Sequence, residues 1–269
     1  MDYTLNIQGR LVSLDRPKVM GILNVTPDSF YADSRQQTEQ QIAQRVRQII
    51  HEGADFIDVG ACSTRPGSTP VSEDEEKERL QKALSVINAT LAEESSSSII
   101  LSVDTFRPNI ARMCVEQYGV HVINDVSEGN DEMFRTVAQL GVPYILMSVQ
   151  PDLRTTLLAF AEKVQRMRDY GQKDIILDPG FGFGKTVEQN YQLFHELEKL
   201  LVMDLPLLVG ISRKSMIFKV LGCTPADSLN GTTFLNTVAL MKGTSILRVH
   251  DVKEAVECCQ LYDHLSAPI

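Results

Sequence analysis

The chain has 269 residues, 43% of them hydrophobic, with a formal net charge of −9 at pH 7. That length suits one barrel-sized domain spanning 1–269, and the acidic balance excludes nonspecific adhesion to nucleic acid, which needs a basic face. No stretch approaches the ~18 consecutive apolar residues of a membrane-spanning helix, and the opening MDYTLNIQGR has neither region of a signal peptide, so the cytoplasm is the expected compartment. Cys62, Cys114, Cys223, Cys258 and Cys259 form no C-x-x-C pair and read as reduced thiols rather than as a disulfide framework or a zinc site.

In chain order, YTLNIQGRLVSL (3–14) predicts a short β-hairpin placed to plug the floor of a barrel. Strands are then predicted at VMGILNV (19–25), FIDVG (56–60), IILSVD (99–104), HVIND (121–125), YILMS (144–148), IILD (175–178), LLVGIS (207–212) and ILRV (246–249). Their apolar residues run consecutively instead of alternating, as in strands buried on both faces. Helices are predicted to fill the gaps between them, for example at 38–51, 72–92, 108–118, 153–170, 187–200 and 227–242. The alternation predicts about eight β/α units, and hence an α/β fold of the (β/α)8 TIM-barrel type with an N-terminal hairpin. Ser72 and Glu75 have capping-box spacing, and the acidic run from Glu73 to Glu76 reads as a solvated helix start that complements the helix dipole.

In a parallel barrel the functional face lies at the C-terminal ends of the strands. Here nearly every predicted strand ends in a polar side chain: Asn24, then Asp58 followed by Thr64 and Arg65, then Asp104, Asn124 with Asp125, Ser148, Asp178, Arg213 with Lys214, and Arg248 with His250. A lone Asp at such a point is more often a helix cap or turn former, but a full ring of hydrogen-bonding groups defines one concave site. The ring divides chemically. Asp104, Asn124 and Asp178 suit the N–H-rich edge of a planar heterocycle, and Arg65, Lys214, Arg248 and His250 suit a phosphate or pyrophosphate. Asn24 and Asp28 offer hard oxygen ligands for a cation.

DPGFGFGKT (178–186) fails both nucleotide-loop patterns, because Pro179 stands where G-x-x-x-x-G-K-T needs glycine and Lys185 where G-x-G-x-x-G does. Gly180, Gly182 and Gly184 instead allow a tight turn that brings Phe183 to the pocket wall. STRPGS (63–68) reads equally as an ordinary turn or as a loop closing over an anion. Arg248 and His250 in RVHDV (248–252) share one face by strand alternation, at a helix start, which favours an anion contact. Lys214 in SRKS (212–215) directly follows a buried strand, which favours function over simple solvation. Asn24 in NVTPDSF (24–30) matches a glycosylation sequon, but nothing in the sequence marks a secreted chain.

Taken together and in order, VMGILNVTPDSF, GADFIDVG, STRPGS, SVDT, INDVS, DPGFGFGKT, GISRKS and RVHD closely resemble the dihydropteroate synthase family over nearly the whole chain. The resemblance implies a Mg²⁺-assisted condensation of 6-hydroxymethyl-7,8-dihydropterin pyrophosphate with p-aminobenzoate in folate biosynthesis. It implies a pterin pocket of Asp104, Asn124, Asp178 and Lys214, walled by Met147 and Phe183. It gives Arg65, Arg248, His250 and the metal ligand Asn24 to the pyrophosphate and Mg²⁺, and Thr64, Pro66 and Ser215 to p-aminobenzoate. Asp178, Lys214, Arg65 and Asp104 are the residues it sets closest to the chemistry, and a homodimer through the last helices is its expected assembly. The chain departs from the family at Cys62, where Glu is usual, and at Ser148, where His is common. Its first loop is one residue longer before Asp33, which favours Asp28 over Asp33 for a role there. The alternatives are a methyltetrahydrofolate methyltransferase, which has less use for the cations, and a catalytically silent pterin-binding paralogue.

Overall fold

The structure is a computed structural model that describes residues 3–26, 35–62, 71–96 and 98–266, with the side chains of 35–37 excluded. A hairpin of β1 (Thr4–Ile7) and β2 (Arg10–Ser13) precedes eight parallel strands. These are β3 (Lys18–Asn24), β4 (Phe56–Gly60), β5 (Ile100–Asp104), β6 (Val122–Asp125), β7 (Tyr144–Met147), β8 (Ile175–Asp178), β9 (Leu208–Val209) and β10 (Ile246–Val249). Each pairs with its sequence neighbour, and β10 returns to β3. A parallel bridge between Leu177 and Leu207 joins β8 to the start of β9 and closes the ring.

The helical jacket consists of α1 (Arg35–His51), α2 (Glu73–Glu93), α3 (Pro108–Tyr118), α4 (Asp131–Leu140), α5 (Leu153–Asp169), α6 (Val187–His195), α7 (Ser215–Leu221), α8 (Leu229–Met241) and α9 (Val252–Ser266). A (β/α)8 barrel with an N-terminal hairpin is thus the fold, as the alternation of apolar runs predicts. Strand alternation creates two cores. Outward residues such as Val19, Ile57, Val103, Ile123, Leu177, Val209 and Leu247 pack under the helices. Inward, each barrel strand gives one residue to a floor layer of Met20, Phe56, Ile100, Val122, Ile145, Ile176, Leu208 and Ile246, and Leu5, Ile7 and Leu14 of the hairpin region close it from below. The hairpin is the expected plug.

Three local features differ from the sequence reading. The strand expected at 207–212 contracts to Leu208–Val209, because Gly210 leads into a turn in which Arg213 takes a left-handed backbone, φ 55°. The helix expected over 187–200 stops at His195 and continues as a 3₁₀ segment, Leu197–Met203. Buried Leu197 and Leu200, three apart, stack at the three-residue pitch of that helix.

The third difference concerns the acidic run. Ser72 caps α2 by accepting the Glu75 N–H at 3.2 Å, but the Glu75 carboxylate turns to Arg79. The box with both halves formed is on α6, between Thr186 and Gln189. Glu76 is fully buried, not solvated: it pairs with Arg107 and accepts the Thr105 hydroxyl at 2.7 Å. The helix that starts at Ser72 therefore also carries a carboxylate inward, onto the β5–α3 connection.

Candidate active site

Above the floor layer, alternation by two sets the next inward positions: Ile22, Asp58, Ser102, Asn124, Met147, Asp178, Gly210 and Arg248. The register also aligns Asn24, Gly60, Asp104 and Asn124 around neighbouring strands. Polar side chains expected at strand ends thus converge because one apolar layer below them fills the barrel.

Asp58 is the hub. It is fully buried and accepts the Ser102 hydroxyl at 2.6 Å, Asn124 Nδ2 at 3.0 Å and Arg248 Nε at 2.7 Å. Arg248 also donates to Asp104 Oδ2 at 3.2 Å, so two carboxylates share one guanidinium. Sequence reasoning placed Asp58 in the strand-end ring but not among the site residues. Its position two residues before the end of β4, in the inward phase, was the available signal. Asn124 Oδ1 is buried and has no hydrogen-bond partner, an acceptor that a ligand N–H can satisfy.

Burial, reinforced by Asp58 and Asp125, pushes Asp104 up to about 7 against the opposing pull of Arg248 and Lys214. Burial also raises Asp178, which Lys214 and the Gly180 N–H, at 2.8 Å from Oδ1, draw back down. Lys214 is pushed down to about 8, chiefly by burial and against the attraction of Asp178. Its ammonium donates to the Phe181 carbonyl and lies 4.5 Å from the centre of the Phe183 ring. The left-handed Arg213 makes this orientation possible, and its own guanidinium leaves the pocket for a two-point pair with Asp251 at 2.8 and 2.9 Å. Arg213, counted in the strand-end ring, is therefore structural.

Met147 is fully buried at the end of β7 and Phe183 is half-buried, as pocket walls should be. Ser215 opens α7 directly after Lys214. His250 follows β10, with its N–H on Ser212 Oγ at 3.2 Å and its carbonyl on Arg45 at 2.7 Å. Asn24 ends β3, its Oδ1 only 3.3 Å from where a Cβ on Gly60 would stand, so glycine keeps that oxygen uncrowded. Thr64, Arg65 and Pro66, with Asp28 and Asp33, lie outside the described residues. Of the two departures, the Cys62 thiol is half-buried and lies 3.8 Å from Arg107 Nη1. Ser148 is buried, and its carbonyl accepts Lys185.

A closed barrel whose mouth combines paired carboxylates, an orphan amide oxygen and buried cations defines a pterin-binding barrel enzyme, and residues 20–250 match the family model described as pterin binding enzyme. The chain is 38% identical to the dihydropteroate synthase of Escherichia coli K12, over 95% of its own length and 94% of that protein's. It superposes on the Xanthomonas albilineans dihydropteroate synthase solved with 4-aminobenzoic acid at a TM-score of 0.90 and 33% identity, covering all of both chains. The Yersinia pestis dihydropteroate synthase solved with a sulfonamide drug gives a TM-score of 0.86 and 37% identity, covering 98% of each chain. The chain belongs to the dihydropteroate synthase family.

Proposed function

We infer that this barrel catalyses dihydropteroate synthesis, joining dihydropterin pyrophosphate to p-aminobenzoate with loss of pyrophosphate, and that it works as a cytoplasmic homodimer. The observation that carries the reaction is the convergence at the barrel mouth of Asp58, Asp104, Asn124, Asp178 and Arg248 from the strands with Lys214 from the start of α7. Asn124 offers its unpartnered oxygen to a pterin N–H, while Asp104 and Asp178 accept from the ring's guanidine-like edge. The amine lone pair of p-aminobenzoate forms the new C–N bond as the C–O bond electrons depart with pyrophosphate. A carboxylate at Asp178, held close to the ring, stabilises the positive charge that develops on the pterin methylene. Lys214 and Phe183 fix the opposite side of the ring.

Arg248 and His250, with Arg65, would meet the pyrophosphate, and Thr64, Pro66 and Ser215 would receive p-aminobenzoate. For Mg²⁺, Asn24 at the end of β3 supplies a hard amide oxygen. That donor set fits magnesium, which takes few protein ligands and completes its shell with phosphate oxygens and water. When bound, the ion would stabilise the departing pyrophosphate.

Exposed apolar residues on neighbouring α7, α8 and α9 offer a self-association face that supports the assembly. No helix among the described residues is long and apolar enough to cross a membrane. The test of the reaction is pyrophosphate release with dihydropterin pyrophosphate and Mg²⁺, with and without p-aminobenzoate. Release that depends on p-aminobenzoate and falls by about a hundredfold in kcat/KM for Asp178→Asn, with unchanged circular dichroism, is expected. Tight pterin binding without product would instead indicate a silent paralogue, and near-normal turnover by Asp178→Asn would overturn the pterin assignment.

A further inference from the structure

Lys185 has no part in that division of labour, yet it is half-buried and its ammonium is surrounded by main-chain oxygens. It donates to the carbonyls of Ser148 at 3.0 Å, Gly180 at 3.1 Å and Phe183 at 3.4 Å. An ammonium has three N–H donors, so the three oxygens match its whole capacity. Two of them belong to its own loop, between β8 and α6, and the third to the end of β7. The loop needs such a tie. Gly180 has φ +66°, and a Cβ there would stand 2.1 Å from the Ser148 carbonyl oxygen. Gly182 has φ +82°, and a Cβ there would stand 2.8 Å from Lys214 Cδ. Asn190 of α6 secures the other side, accepting the Gly182 N–H at 2.7 Å and donating to the carbonyls of Thr186 at 2.6 Å and Lys185 at 3.3 Å.

Between the two carbonyls that Lys185 holds lies Phe181, whose own carbonyl accepts the Lys214 ammonium. Phe183, also held by Lys185, places its ring against that same ammonium. The Gly180 carbonyl also accepts the Phe183 N–H at 3.1 Å, so the 180–183 turn keeps one tie of its own. Without Lys185 the Ser148 and Phe183 carbonyls lose this donor, and the turn that carries Phe181 loses its ammonium link to the end of β7.

We propose that Lys185 is a positioning residue for the pterin half of the reaction: by fastening the β8–α6 loop to the end of β7 it fixes Lys214 and Phe183 against the heterocycle without touching it. This rests on the reading of the pocket as a pterin site. Burial pushes Lys185 down to about 8, which Asp178 and Glu128 oppose, so the cradle holds a weakly solvated charge that a neutral side chain cannot replace.

The experiment is steady-state kinetics on the full chain carrying Lys185→Met, varying each substrate separately. The expected result is a rise of about tenfold or more in KM for dihydropterin pyrophosphate, with KM for p-aminobenzoate within about twofold of wild type. Lys185→Cys treated with 2-bromoethylamine, which rebuilds a lysine-like ammonium, should regain most of the pterin affinity, against wild type treated in the same way. If Lys185→Met does not fold, Lys185→Arg carries the same split, because a planar guanidinium keeps the charge but cannot reach three converging carbonyls as an ammonium does. Equal losses toward both substrates, or no loss toward either, would overturn the positioning role while wild-type turnover leaves the pterin reading intact. Wild-type protein that neither binds pterin nor turns over would overturn both.

Discussion

At the centre of the pocket, Asp104 shares Arg248 with Asp58, and its burial has a measurable cost. Its pKa rises from 3.8 to about 7, so the folded state holds the proton more tightly than the unfolded chain. Stability therefore falls as pH rises through that window. Below it both states are protonated and the penalty is absent, and above it both are ionised and the penalty is constant. Asparagine resembles the protonated acid at every pH. Asp104→Asn should match wild type in Tm near pH 4 and exceed it at pH 8 by on the order of 5 °C, while losing most pterin binding. Calorimetry at both pH values checks this, and a Tm difference independent of pH would rule out charge burial as its origin. Sequence made Asp104, Asn124, Asp178 and Lys214 visible because each ends or directly follows an apolar run. It left Asp58 half-seen, since a hub is defined by partners such as Ser102 and Arg248 that lie far away in the chain. Lys185 stayed out of view because its partners are main-chain carbonyls, which no side-chain pattern records.

For the elements, the most informative departure is the start of α2. A run of four acids looks like solvated charge complementing a helix dipole, and Glu73, Asp74 and Glu75 are indeed exposed. Glu76 falls on the inner side of the helix and meets Arg107, whose Nη2 also donates to the Val71 carbonyl at 2.6 Å. Arg79 of the same helix donates to the Ala61 carbonyl at 2.9 Å. The helix thus ties down residues on both sides of the β4–α2 connection. Breaking a buried ion pair by neutralising one partner leaves the other charge uncompensated, a loss of about 3 kcal/mol. Glu76→Gln, whose amide oxygen can still accept from Thr105, should lower the unfolding free energy by about that amount, seen as a lower urea midpoint at unchanged slope. A change under about 0.5 kcal/mol, typical of a surface substitution, would mean that the pair is solvated after all. Helix phase decides whether an acid is capped, exposed or buried, and that phase is fixed by Leu80, Leu84 and Ile87 packing on the barrel. Local spacing around Ser72 does not contain it.

On the scale of the whole molecule, α8 is apolar on faces that the barrel does not use. Leu235, Ala239 and Leu240 are buried, yet Phe234 is 65% exposed and Met241 71%. Val220 and Leu221 on α7 and Leu261 and Leu265 on α9 are exposed beside it. Apolar side chains grouped on three neighbouring helices form the kind of surface that association covers. Against this stands a net charge of −9 on each copy, which makes two chains repel at low ionic strength. The apolar contact must outweigh that repulsion, and salt screens the repulsion while leaving the contact intact. The proposed homodimer should therefore tighten as salt rises from about 0.01 M to 0.15 M, the opposite of an interface built on ion pairs. Phe234→Glu would put a buried charge on each side and should yield monomer at concentrations where wild type is dimeric, with a Tm that no longer depends on protein concentration. Sedimentation velocity across a salt series reads both effects. A wild-type monomer at every salt, or a Phe234→Glu dimer as tight as wild type, would remove α8 from the interface.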